Sequence, residues 1–267
     1  SASAVRLGHA AMAPAKLQLT ALAGIPMVQP GDDLAQLIID AIARAAITLK
    51  PQDVLVIAQK IVSKAEGRIL PLDKVKPRPD ARAWAKKTEK DPRLVELILM
   101  ESKGVVRHRP GVMIVQHRLG FIMANAGIDQ SNVGPIEEGE HAILLPLDPD
   151  ASAARLSAAV KDRFDVDIGV VISDSFGRPF RSGTAGVAIG VASMPALLDL
   201  RGEPDLFGRE LGVSISGFAD EIAAAASLVM GQGAEGLPAV IVSGLEWSRP
   251  ATNAAEIVRD PSEDLFR

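Results

Sequence analysis

Cysteine and tyrosine are absent from the 267-residue chain, and tryptophan occurs only at Trp84 and Trp247. Without cysteine there is no disulfide, no thiolate zinc site and no cysteine nucleophile, so any metal must be held by oxygen or by the four histidines. Those histidines, His9, His108, His117 and His141, show no paired metal spacing, and His108 and His117 are expected at the surface. Few aromatic faces remain for base stacking, and a formal charge of -4 without a dense Lys/Arg block offers no field for nucleic acid. No apolar run approaches the roughly 20 residues that span a bilayer. The exclusions leave a small-molecule partner and, for any metal, a hard cation such as Mg²⁺ or Mn²⁺.

What is present looks like an α/β protein. Hydrophobic residues make up 48% of the chain and charged residues 23%, near the soluble average. Residues 17–22 read as a strand, and 34–45 as a helix behind Asp32-Asp33, with Leu34, Leu37, Ile38 and Ile42 as its apolar stripe. The unbroken apolar run 54–58 suits a strand covered on both faces. Pro77-Arg78-Pro79 breaks the chain, placing a subdomain boundary near 76 and helices at 81–90 and 92–101. Short strands at 112–116 and 120–124 follow, then a helix opened by Asp148-Pro149 and a second boundary near 165. Later come a strand at 210–216, a helix at 219–230 and a strand from 238 to 242. Gly186 and Gly190 imply close backbone packing, residues 1–16 read as a loose leader, and the tail from Asn253 as peripheral.

Three polar clusters interrupt this pattern. In the first, the run Val170-Val171-Ile172 leads into Asp174-Ser175, and Gly177 and Pro179 oppose its continuation, so a strand is expected to end there at a site. An aspartate there can hold a cation and a hydroxyl can share it, while Arg178 and Arg181 suit phosphate or carboxylate oxygens. The second cluster, residues 125–132, gathers amide, carboxylate and hydroxyl groups around Asp129 and Asn132. In the third, the glycines of 231–236 free the backbone to approach a ligand, though the pattern is neither a Walker loop nor a dinucleotide fingerprint.

Lys60, Lys64 and Arg68 recur four apart after the strand 54–58 and share one face if helical; a solvated face and an anion cradle both remain open. Glu137, Glu138 and Glu140 read as exposed loop. Asp129, Asp174, a hydroxyl, and Gln232 or Glu235 form an all-oxygen set suited to one or two divalent cations, which ordinarily serve phosphates. Residue chemistry alone therefore gives a metal-dependent, phosphate-handling α/β enzyme, with a nucleotide-sensing module without turnover as the alternative.

In these stretches the sequence resembles the coenzyme F420-0:L-glutamate ligase family, the F420 γ-glutamyl ligases. The matching residues are Gly24-Ile25-Pro26-Met27-Val28 with Gly31-Asp32-Asp33-Leu34, Ile61 to Arg68, Asn125-Ala126-Gly127-Ile128-Asp129 with Ser131-Asn132, and Leu145 to Asp150. Further on they are Asp174 to Arg181, Gly208-Arg209-Glu210-Leu211, Ala219 to Ala224, and Met230-Gly231-Gln232-Gly233. The resemblance spans 17–260 and implies a family-specific α/β (α+β) fold of two intertwined subdomains, a cytoplasmic homodimer, and GTP-dependent addition of L-glutamate, then of γ-linked glutamates, to F420-0 through an acyl phosphate.

It further implies that Ile25, Pro26, Met27, Val28, Gln59, Lys60, Lys64, Asn132 and the loop Met230, Gly231, Gln232, Gly233, Ala234, Glu235, Gly236 and Leu237 contact GTP. Asp129 and Asp174 would bind one Mg²⁺ or Mn²⁺, Ser175 and Gln232 a second, and K⁺ is a further candidate ion. Family members can carry Glu where Gln232 stands, and a neutral amide is the weaker ligand. With Asp174, the catalytic set comprises Arg178 and Arg181, assigned to the acidic groups of F420-0. Some actinobacterial members add a flavin-binding C-terminal domain that the sequence to Arg267 does not include. A ligase acting on another acidic cofactor keeps the same chemistry with a different acceptor.

Overall fold

The computed structural model describes residues 15–130, 140–231, 233 and 235–265. Its centre is a five-stranded sheet in the order β1 (Gln18–Ala21), β12 (Ala239–Ser243), β2 (Val54–Ala58), β8 (Gly169–Arg178) and β9 (Arg181–Ala192). Only the β2–β8 pair is parallel. Alternation sorts the side chains. Leu55, Ile57, Val170, Ile172 and Ile241 meet Ile38 and Ile42 of α1 (Leu34–Arg44) and Leu156 and Val160 of α5 (Pro149–Phe164). On the opposite face Val54, Val56, Val171, Val240 and Val242 meet Ala219, Ile222, Ala223 and Ala226 of α6 (Phe218–Met230). The run 54–58 lacks polar alternation because both faces are dry, as expected.

The two helix starts for which the sequence names an aspartate cap are capped as expected. Asp33 accepts from the Gln36 N–H at 3.0 Å and Asp148 from the Ala151 N–H at 2.9 Å, which satisfies donors that a helix start leaves orphaned. Gly186 and Gly190 admit the helices closely: a Cβ at either would stand 2.5 Å from a backbone oxygen, that of Ala223 or of Pro149.

A smaller layer joins α3 (Pro79–Thr88) and α4 (Pro92–Met100) to a sheet of β4 (Ser102–Arg109), β5 (Val112–His117) and β6 (Ile122–Ala124), with Ala81, Ala85, Val95, Ile98, Met113 and Val115 between them. β3 (Ile69–Pro71) pairs with β7 (His141–Ile143), and β10 (Leu198–Asp199) pairs with β11 (Ile215–Ser216). No described helix is long and apolar enough to cross a membrane.

Several expectations are corrected. The strand at Val170 does not end at Asp174: it continues to Arg178, because β9 pairs with it across Gly177 and supplies the ladder that local propensity lacks. The strand expected at 210–216 is reduced to Ile215–Ser216, and β4 forms where none was foreseen. The helix that carries Lys60 and Lys64, α2 (Gln59–Ala65), stops before Arg68, which turns away to Glu101 at 2.8 Å. His117 is fully buried rather than superficial. The tail is not wholly peripheral either, since Ala254 is buried and its N–H is held by Asp150 at 3.0 Å.

Candidate active site

The site forms where the parallel pair ends. The register sets Ala58 of β2 beside Ser173 of β8, so α2 begins next to Asp174 and Ser175; ligands of α/β sheets collect outside such carboxyl ends. A slip in the β8–β9 register between Ile172 and Ser173 marks a bulge at this point, a device that re-aims side chains beside a site. A cavity of about 430 Å³ opens there, within the range of small-molecule pockets. Its lining includes Asp174, Ser175, Gln59, Lys60 and Lys64.

One wall of the cavity is the loop Ile25, Pro26, Met27 and Val28. Val28 is buried and roots this loop in the core, while Met27 is exposed. Arg44 donates to the Gly24 carbonyl at 2.9 Å, and the Gly31 N–H reaches the Ala65 carbonyl at 3.0 Å, tying the loop to α1 and α2. Opposite stand Met230, Gly231, Gly233, Gly236 and Leu237 at the end of α6. Glu235 turns inward on its own loop, accepting from the Gly233 N–H at 2.8 Å, and this backbone bonding, with its own N–H foremost, holds its carboxyl below the usual range.

Asp129 arrives from the smaller layer. Asn125 and Ala126 both take positive φ, at 50° and 53°, and Gly127 at 67° has no room for a Cβ, which would stand 2.7 Å from Met123 and 2.9 Å from Leu145. This tight turn delivers Asp129 to Ile143, with which it exchanges two backbone hydrogen bonds of 3.0 and 2.8 Å. Its carboxylate then meets Lys60, Oδ2 to Nζ 2.5 Å.

The electrostatics are those of a crowded charge site. Burial pushes the Asp174 carboxyl up to about 6; the Ser175 N–H at 2.8 Å opposes this, the Asp129 charge adds to it, and Lys60 counteracts it. Lys64, only 5% exposed, has its ammonium pKa lowered first by desolvation and then by Lys60 one turn away. Gln59 is likewise buried, its Oε1 fixed by the Ser63 hydroxyl at 2.9 Å. The donor set of Asp129, Asp174 and Ser175 is all hard oxygen, and its mutual repulsion suits a divalent cation. Among the described residues no group of three His, Cys, Asp or Glu is placed to hold a metal ion, so an ion here would rest on two carboxylates and a hydroxyl together with ligands from outside that set.

Most of the residues expected from the sequence thus converge on one cavity. Asp129, which reaches the site through Lys60, and Glu235 are not among its lining residues, and Arg178 and Arg181 do not line it either: they face each other at the exposed closing end of the β8–β9 hairpin, roughly 10 Å along the strand from Ser175. Asn132, Gln232 and Ala234 lie outside the described residues, as do Glu137 and Glu138; Glu140 is exposed and pairs with Arg93 at 2.6 Å. The lining also includes Ile61, Ser173 and Ser227, which sequence reasoning missed, and Gly186, which it read chiefly for close backbone packing. Ser173 adjoins Asp174 and could have been found by that alone, whereas Ser227 sits on a helix read only for its apolar stripe.

A model of the family described as F420-0:gamma-glutamyl ligase matches residues 24–244. A protein of Methanopyrus kandleri named coenzyme F420:L-glutamate ligase is 47% identical over 244 residues, covering 90% of this chain and 93% of its own length. Proteins of the same name from Methanothermobacter thermautotrophicus and Natronomonas pharaonis are 45% and 42% identical, each over 94% of this chain and over 99% and 95% of their own lengths.

Proposed function

The chain belongs to the F420-0:γ-glutamyl ligase family, and from that premise we propose that it joins L-glutamate to the terminal carboxylate of F420-0 at the expense of GTP, then extends the product through γ-linkages. The observation that carries the reading is the charge gathered at the end of the parallel strand pair: Asp129 pairs with Lys60, and Lys60, Lys64 and Asp174 line a cavity of about 430 Å³. Charge of both signs gathered in this way suits a metal–triphosphate complex.

In this reading the nucleotide lies between the 25–28 loop and the 230–237 loop, with its phosphates toward Lys64 and the start of α2. The acceptor carboxylate attacks the γ-phosphorus, forming an acyl phosphate as the bond to GDP breaks. The glutamate amine then attacks the acyl carbon, phosphate leaves, and the amine loses its proton as the amide forms. A divalent cation on Asp129, Asp174 and Ser175 would polarise the γ-phosphoryl group and neutralise charge developing on the bridging oxygen. Arg178 and Arg181, at the exposed end of the β8–β9 hairpin, are assigned in this reading to the acidic groups of the acceptor, which guanidinium groups bind in bidentate fashion. A homodimer belongs to the proposal too, supported by Phe180, Leu206, Phe207 and Val213, each 80% exposed or more.

The test is mass spectrometry of F420-0 incubated with the protein, GTP, Mn²⁺ and L-glutamate, omitting each in turn. Successive glutamyl increments that need every component are the expected result. GTP hydrolysis without mass gain points to another acidic acceptor, and neither gain nor hydrolysis to a nucleotide-sensing module. Lys64→Ala is expected to weaken binding of a non-hydrolysable GTP analogue about tenfold, through one lost charge-assisted phosphate contact. An unchanged calorimetric affinity would remove Lys64 from the phosphate site.

A further inference from the structure

We propose that Asp220 is a positioning residue: it pins the first turn of α6 to the bulge in β9, and through that one helix it holds the two walls of the cavity at the spacing a nucleotide needs. The inference rests on the ligase reading above for what the cavity binds. The β8–β9 register passes from Ile172 opposite Gly190 to Ser173 opposite Ala188, so Ile189 is the extra residue of the bulge and the ladder is interrupted there. Asp220 Oδ1 accepts the Ala188 N–H at 2.8 Å beside this interruption. Burial pushes the Asp220 carboxyl up and the Ala188 N–H opposes this, so an uncharged amide oxygen can take the same bond without the desolvation penalty of a charge.

The ladder carries this anchor into the site. Ala188, Val187 and Gly186 are the register partners of Ser173, Asp174 and Ser175, all three of which line the cavity. One turn beyond Asp220 the helix backbone lies so close to Gly186 that a Cβ there would stand 2.5 Å from the Ala223 oxygen. Ser227 and Met230 follow on the same helical face and line the cavity themselves. The first half of α6 is thus fixed to β9 and its second half forms a wall. A helix released at Asp220 lets the Met230–Gly231 wall move relative to Asp174.

Asp150 supplies the comparison. From the first turn of α5 its Oδ1 accepts the Val191 N–H at 2.8 Å and the Ala254 N–H at 3.0 Å, holding β9 on the far side of the bulge, and it does not line this cavity. The experiment compares Asp220→Ala, Asp220→Asn and Asp150→Ala under conditions where urea curves show every variant folded. It reads amide hydrogen exchange without ligand, calorimetry with a non-hydrolysable GTP analogue and Mn²⁺, and kcat for glutamate ligation. Asp220→Ala speeds exchange at 173–175 and 227–231 together, weakens the analogue about tenfold and lowers kcat about thirtyfold, the scale that a small misplacement of reacting groups produces. Asp220→Asn keeps an acceptor oxygen and stays within about threefold of wild type on both. Asp150→Ala, with two bonds lost, costs at least as much stability and speeds exchange around Val191, yet changes affinity and kcat by less than about twofold.

The proposal is overturned by Asp220→Ala with wild-type affinity and kcat, which leaves the residue a cap on β9. It is overturned equally by Asp150→Ala matching Asp220→Ala, which makes the effect a general loosening of the strand, and by Asp220→Asn no better than Asp220→Ala, which makes the charge the agent. If the wild type binds no analogue and forms no product, the ligase reading has failed instead. Exchange then decides alone: walls that stay protected in Asp220→Ala overturn the coupling.

Discussion

Asp174→Asn is expected to lower the rate of glutamate ligation by roughly a thousandfold or more while leaving the unfolding midpoint at neutral pH equal to or above that of the wild type. The two halves of this result have one cause. Asp174 is a carboxylate in a place that disfavours its charge: burial raises its pKa to about 6, and Asp129 adds repulsion. Its folded value lies above the ordinary 3.8, so above pH 6 its ionisation opposes folding. An isosteric amide keeps the shape and removes that opposition.

The same replacement removes the negative charge that would hold a divalent ion against the transferring phosphoryl group, an effect of the size produced by loss of a principal electrostatic stabiliser. Turnover followed by product mass, together with thermal unfolding at pH 7.5, checks both halves. A variant as active as the wild type sinks the assignment. One that is inactive but strongly destabilised shows that Asp174 serves the fold instead.

Asp174 and Asp129 could be picked out because apolar residues give way to polar ones at each, although at Asp174 this marks the passage of β8 out of the core and not the end of the strand. The pairing of Asp129 with Lys60 was not legible. It depends on the Asp129–Ile143 bridge, which brings the smaller layer against α2, and no local spacing encodes such a contact. The fold divides the same way. The run 54–58 and the capped starts of α1 and α5 could be read because burial on both faces and side-chain caps are local signatures. β4 could not, since Lys103, Arg107, His108 and Arg109 outnumber Val105 and Val106 and its pairing with β5 defines it. β8 was cut short for a related reason: Gly177 and Pro179 argue against a strand, but the ladder to β9 overrides the first and only the second ends the element. Arg68 was grouped with the lysines by helical spacing, yet Gly67, at φ 69°, turns the chain out of the helix before that spacing applies.

Where Arg68 goes is the basis of the second large effect. Its guanidinium lies 2.8 Å from Glu101 Oε2, with Arg118 Nε at 3.0 Å and His117 Nε2 at 3.5 Å from the same oxygen. His117 accepts the Leu119 N–H on Nδ1 at 3.1 Å, so its proton resides on Nε2, facing the carboxylate. The arginines also donate to the carbonyls of Leu145, Pro146 and Leu147 at 3.0, 2.8 and 2.6 Å, fixing the segment that leads to the Asp148 cap of α5. Glu101→Ala removes the anion that Arg68, Arg118 and the fully buried His117 share; the expected cost is about 3–5 kcal/mol, read from urea unfolding.

The node also carries a pH signature. Burial alone would raise the Glu101 carboxyl, but His117, Arg68 and Arg118 more than offset it and hold the group at about 2, below its ordinary 4.5. A carboxylate with a depressed folded pKa contributes stability that is complete above about 4.5 and is lost as pH falls toward 2, here on the order of 3 kcal/mol. Glu101→Gln, which keeps the shape without the charge, should therefore converge on the wild type as pH falls from 5 to 2 and diverge from it above. Stability curves that stay parallel through that interval would place the acid sensitivity of the fold elsewhere and reduce the node to a packing contact.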